Sequence, residues 1–147
     1  MTNAELFAVG QNVLAAQSFS QLLGARLAVF LPGEAVIEIP VRADLLQQNG
    51  FVHGGVLSFA ADNALTFVGG SVLGPNVLTS EFKINYLRPA LGDTLVARGK
   101  VISAGKRQAV CRCDISVFTT GAGETLCAIA QGTIVAIASE DRPPGSY

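Results

Sequence analysis

The run Asn49-Gly50-Phe51-Val52-His53-Gly54-Gly55 and the acid Asp62 are the residues whose types and spacing could do chemistry in this chain. Two glycines at the start of a helix leave its first backbone amides open to close approach by a ligand. Those amides have no acceptor within the helix, and the helix dipole adds partial positive charge beside them. A carbonyl held there would be polarised, and the oxyanion formed by attack on it would be stabilised. Taken alone, Gly54-Gly55 is better read as a helix start that needs small residues for packing.

Asp62 shifts that balance. It lies two turns further on, among Phe59, Ala60, Ala61, Ala64 and Leu65. An ionised carboxylate is costly to bury without partners. At helical spacing Asp62 shares a face with Gly55, Ser58 and Thr66, and desolvation there would raise its pKa toward the range of a general base or nucleophile. The competing reading is a structural Asp satisfied by backbone or by Ser58. Gly55 and Asp62 are seven residues apart, about 10 Å of helix rise, whereas a base must approach its proton to about 3 Å. Asp62 is therefore expected to serve a carbonyl held by a second copy of the helix, antiparallel across a two-fold axis. The site is then composite.

His53 is the only histidine, and no Gly-x-Ser-x-Gly elbow is present, which argues against a serine hydrolase. Before the glycines, His53 is expected to fix the turn by hydrogen-bonding Asn49 or a carbonyl. Positioning is favoured over proton transfer, which usually needs a partner to set the tautomer. Asn49-Gly50 reads as a turn, and the Asn side chain could also reach a substrate carbonyl or a lytic water.

The elements that must position these groups follow from the pattern. Thr2-Asn3-Ala4-Glu5 reads as a capping box opening a helix over about residues 3–23. Short apolar runs flank Pro32-Gly33 as a hairpin with a type II turn. A nearly apolar helix is expected over about residues 54–69 and should be buried. Four strands follow. In the first, Leu78, Ser80, Phe82, Ile84 and Tyr86 alternate with polar residues; in the third, Ala109, Cys111, Cys113, Ile115 and Val117 do so. One long helix held by an antiparallel sheet, an α+β fold in a single domain over residues 1–139, is the simplest packing. Residues 140–147 are expected to form a mobile tail.

Half of the 147 residues are hydrophobic and 14% are charged, with a mean hydropathy of +0.45. In a domain this small, surplus apolar residues point to a subunit interface. The apolar stretch of residues 51–74 is long enough to cross a bilayer, but His53, Asp62 and Asn63 interrupt it, so no membrane span is expected. A net charge of −1 without a basic block gives no reason to expect nucleic acid. Cys111, Cys113 and Cys127 are expected as buried reduced thiols rather than metal ligands, which suits a cytoplasmic chain without a leader peptide.

Asn49, His53-Gly54-Gly55 and Asp62, followed by Tyr86-Leu87-Arg88-Pro89-Ala90 and Gly92-Asp93, resemble the hotdog-fold acyl-CoA thioesterases, and most nearly their phenylacetic-acid-degradation branch. The resemblance runs from the first hairpin to Ile137, although the segment between Asn49 and His53 is shorter than in that branch. It implies that Asp62 is base or nucleophile, that the Gly55 amide polarises the thioester carbonyl, and that Asn49 positions substrate or water. A water-orienting hydroxyl would fall at Thr79, with Ser80 beside it. It also implies dimers, often paired into tetramers, with sites at the dimer interface, and no cofactor beyond the coenzyme A of the substrate. The substrate-contacting set on this reading is Gly54, Ser58, Ser80, Arg88, Lys106 and Arg107, the three cations being candidates for the coenzyme A phosphates. The alternative for Lys106 and Arg107 is a solvated turn. The rival function is a non-catalytic acyl-CoA binding or sensing module.

Overall fold

Residues 1–144 are described by the computed structural model. The chain opens with helix α1 (Asn3–Ala16). Its capping box is formed, with the Glu5 amide donating to Thr2 Oγ1 at 3.2 Å and the Thr2 amide to Glu5 Oε2 at 2.6 Å. The helix does not run on to Leu23 as the sequence suggests. Gln17 is extended (φ −87°, ψ 102°) and starts a second, short helix, α2 (Ser18–Leu22). Serines favour such breaks because their hydroxyls compete for local hydrogen bonds. Here the buried Ser20 hydroxyl donates to Gln17 Oε1 at 2.6 Å and accepts from Asn63 Nδ2 at 3.3 Å.

Strands β1 (Arg26–Leu31) and β2 (Glu34–Pro40) form the expected hairpin, with Gly33 at φ +82° in the turn. A 3₁₀ turn, Ala43–Leu45, leads to helix α3 (Gly54–Leu73). Four strands complete the chain: β3 (Val77–Tyr86), β4 (Thr94–Ala104), β5 (Gln108–Thr119) and β6 (Gly123–Ala136). The six strands form one sheet in the order β1-β2-β4-β5-β6-β3, with every pairing antiparallel and β3 at one edge.

The sheet wraps α3, which packs against all six strands. Ala60, Ala61, Ala64, Leu65 and Val68 of the helix are fully buried, as are Ile37, Ile39, Ile115 and Ile134 of the sheet. The helix is four residues longer than expected, because the Gly69-Gly70 pair packs rather than terminates. A Cβ on Gly69 would lie 2.6 Å from Ile134 Cβ, and one on Gly99 would lie 2.9 Å from the Ala64 carbonyl oxygen. These glycines set how closely helix and sheet approach. The true stop is Gly74 at φ +101°.

The three cysteines are free and buried. Burial pushes the Cys111 thiol up to about 11 and the Cys113 thiol, beside the Asp114 charge, up to about 12. Of the expected tail, residues 145–147 lie outside the described residues. Ser139–Asp141 makes a 3₁₀ turn, and Arg142 Nη1 donates to Asn76 Oδ1 at 3.1 Å.

One departure in β3 bears on the site. Simple alternation would put Leu78 and Ser80 on the same face as Phe82 and Ile84. Instead the register shifts between Thr79 and Glu81, leaving Ser80 unmatched opposite β6. A bulge of this kind adds one residue and reverses the phase of the strand. Thr79, Phe82 and Ile84 therefore all turn inward and are half-buried, while Leu78 and Ser80 are exposed.

Candidate active site

Asp62 is half-buried on α3 and faces the bulge. Thr79 Oγ1 donates to Asp62 Oδ1 at 2.6 Å. Thr66, one helical turn on, donates its hydroxyl to the Asp62 carbonyl at 2.8 Å and lies 2.9 Å from Thr79 Oγ1. One hydroxyl proton thus serves a carboxylate oxygen and the other the backbone carbonyl of the same residue. Among the described residues Asp62 Oδ2 receives no protein hydrogen bond, and no buried side-chain polar atom is left unpaired. That oxygen is open to solvent. It faces a groove of about 520 Å³ lined by Gly55, Ser58, Asp62, Phe59, Phe82 and Gln17, with Phe19 and Ser20 at its edge. The groove contains Gly55, Ser58 and Asp62 of the expected face but not Thr66, and it keeps Asp62 wetter than a helix so apolar would suggest.

The helix start is built differently from the sequence expectation. His53 bonds neither Asn49 nor a carbonyl through its ring; it is the N-cap of α3, and its Nδ1 accepts the Gly55 amide proton at 2.8 Å. A side chain two residues upstream can cap its own helix, and here the Nδ1 lone pair does so. Gly55 and His53 are both exposed. In this state the Gly55 amide is occupied, whereas the Gly54 amide, at the first helical position, has no acceptor in its own helix. Tyr86 closes over the same turn. Its hydroxyl donates to the Gly54 carbonyl at 3.0 Å and lies 2.7 Å from Ser58 Oγ. A Cβ on Gly54 would lie 3.4 Å from the Tyr86 ring, in ordinary contact with it.

Residues 49–124 match the model of the thioesterase superfamily. The chain belongs to the thioesterase superfamily. Over 127 residues it is 31% identical to a protein of Archaeoglobus fulgidus that carries an esterase name, covering 86% of this chain and 79% of that one. Among solved structures it is similar to a thioesterase family protein from Silicibacter pomeroyi, with a TM-score of 0.85 and 31% identity over 94% of this chain and 100% of the other. It is also similar to the PaaI protein from the phenylacetic acid degradation operon of E. coli, with a TM-score of 0.83 and 25% identity over 94% and 97% of the two chains. The sheet around α3 is thus a hotdog fold, and thioester or ester hydrolysis is the chemistry of the superfamily.

Within this thioesterase-superfamily chain the remaining expected residues are scattered. Asn49 is exposed on a small turn, its amide bonded to the Gln47 side chain, and it does not line the groove. Ser80 is the unmatched bulge residue and points outward. Arg88 is exposed just beyond Tyr86, its amide bonded to the Cys127 carbonyl. Lys106 and Arg107 occupy the turn after β4, where the Arg107 carbonyl accepts from the Ala136 amide, at the Val77 end of β3. The two cationic sites therefore stand at opposite ends of a ten-residue strand, about 30 Å apart. One chain does not bring them to one phosphate cluster. Sequence reasoning missed Tyr86 and Gln17 as site residues and placed Thr66 only on the face of Asp62. The Tyr86-Leu87-Arg88-Pro89 run was visible, but only the fold reveals that its phenol reaches the start of α3.

Proposed function

We propose that the protein hydrolyses acyl-CoA thioesters to a carboxylic acid and coenzyme A, in a site completed by two protomers. The observation that carries this reading is the Thr79–Asp62 hydrogen bond at 2.6 Å, which holds one carboxylate oxygen and leaves the other facing the groove that contains Gly55. Superfamily membership supports a hydrolase, and the names of the relatives support thioesters or esters as substrates. On this reading Asp62 acts as general base toward water, or attacks the carbonyl itself. Thr79 holds it in place.

The oxyanion is received by the amides at the start of the partner's α3. The Gly55 amide is released from His53 Nδ1, or shared with it, as the negative oxygen arrives. Gly55 and Asp62 of one chain are separated by about 10 Å of helix, too far for one carbonyl, so a neighbouring protomer supplies whichever half is missing. Asn49, on its exposed turn, would then act toward the partner's groove rather than its own. Arg88 from one protomer and Lys106–Arg107 from the other are candidates for the coenzyme A phosphates.

Thiol release from a panel of acyl-CoA esters tests the reading. Asp62→Asn should lower kcat by about a hundredfold or more, the range of general base catalysis, while circular dichroism stays unchanged. Full activity in that variant would sink the mechanism. Gly55→Pro, which removes the amide proton, should be inactive too. Mixing the two inactive variants through unfolding and refolding should restore about a quarter of wild-type activity, since half of randomly paired two-fold dimers carry one intact composite site of two. No recovery would place the whole site in one chain.

A further inference from the structure

A second groove, of about 370 Å³, runs between α1 and α3 and is floored by Phe30 and Phe67, whose rings pack edge to face at 5.5 Å. Its walls are Leu6, Val9 and Val13 of α1 and Val77 at the start of β3. It adjoins the Asp62 groove: Gln17 lines both. Thr66, also on its wall, is bonded to the Asp62 carbonyl and to Thr79. The Gln17 side chain is held at this junction through the Ser20 and Asn63 hydrogen bonds described above.

We propose that this groove is the acyl subsite and that it takes an unsubstituted, medium-length hydrocarbon chain. The inference rests on the hydrolytic reading of Asp62 and deepens it by naming the substrate class. Three features point to that occupant. The polar groups Gln17 and Thr66 sit at the Asp62 end, where a thioester carbonyl would lie. At the far end the Ser71 hydroxyl is already engaged, donating to the Val68 carbonyl at 2.6 Å and accepting from the Gly33 amide at 2.9 Å. Ser71 therefore offers no free hydrogen bond to a hydroxyl or carboxylate at the end of the chain, which would be disfavoured against the apolar wall. The third feature is size. The wall from Thr66 to Gly74 spans about 12 Å of helix, and the volume is more than twice the ~150 Å³ that suffices for a benzene ring in an apolar cavity. A long slot of this kind suits an extended chain.

Val13, which touches neither Asp62 nor the start of α3, is the position to plug. In the wild type, kcat/KM for octanoyl-CoA should exceed that for acetyl-CoA and for the carboxyl-ended suberyl-CoA by about tenfold or more, 1.4 kcal/mol per factor of ten. Val13→Phe should erase the preference for octanoyl-CoA over acetyl-CoA. Val9→Phe, on the adjacent turn, guards against a folding defect peculiar to one variant. An unaltered chain-length profile in both variants overturns the assignment, as does equal turnover of octanoyl- and suberyl-CoA. Calorimetric titration with octanoate provides a readout independent of turnover. If the wild type cleaves no thioester yet binds octanoate, and Val13→Phe loses that binding, the groove stands and the hydrolytic reading falls. If octanoate does not bind and Val13→Phe instead alters the size-exclusion profile, the groove is covered by a second copy of the chain and the inference fails.

Discussion

Asp62 has one carboxylate oxygen tied to Thr79 and the other open to the groove, and this asymmetry makes its chemistry testable at a single atom. Thr79→Val deletes the donor while keeping the shape. Hydrogen bonds to charged groups contribute roughly 1.5–3 kcal/mol, so kcat should fall by about tenfold to a hundredfold with KM little changed, and Thr79→Ser should recover most of the loss. A purely structural Thr79 would instead leave both kinetic constants intact. The acid and the two glycines were legible in the sequence because their types are unusual for an apolar helix. The His53 bond was not. Whether an imidazole caps its own helix or reaches a neighbouring loop depends on its rotamer, and residue spacing carries no record of that. Tyr86 was hidden for a similar reason, since its contacts with Gly54 and Ser58 cross 32 and 28 residues of chain.

The elements were legible in kind and order, and less so in their ends. Glycines caused the main error on α3, because the same residue type marks a helix stop and a close packing point. Gly69 is the second kind. Gly69→Ala would drive a Cβ into Ile134, whose own Cβ lies 2.6 Å from the position it would occupy. Helix and sheet would have to part, at a cost of about 1–3 kcal/mol, read as a lower urea midpoint with an unchanged slope. Gln17 misled in the opposite way. It belongs to an ordinary helical pattern, yet α1 ends there, and its side chain joins a network with Ser20 and Asn63 that crosses to α3. The phase of β3 was missed because alternation assumes an unbroken ladder, and a bulge is set by pairing with β6 rather than by the residues of β3 alone.

For the molecule as a whole, composition pointed to an interface without saying where it lies. The described residues leave Phe19, Leu22, Leu78, Tyr86, Leu87 and Leu91 exposed, several of them on or just beyond β3, whose outer edge has no partner strand. An open edge with apolar neighbours is a template for pairing with another chain. If the site is shared between protomers, specific activity should depend on protein concentration. Serial dilution should lower turnover per chain in step with dissociation measured by light scattering. Constant specific activity across full dissociation would rule out a shared site.

The bulge at Ser80 has a further consequence, for colloidal behaviour. An unpaired strand that is straight and flat can add copies without limit, and a bulge interrupts such growth by bending the edge away from the next ladder. Deleting Ser80 would straighten β3 while leaving Thr79 opposite Ile134 and on the inward face. The shortened protein should keep its far-ultraviolet circular dichroism and scatter light increasingly with concentration and time. One unpaired residue at the margin of the sheet would then set where self-association stops.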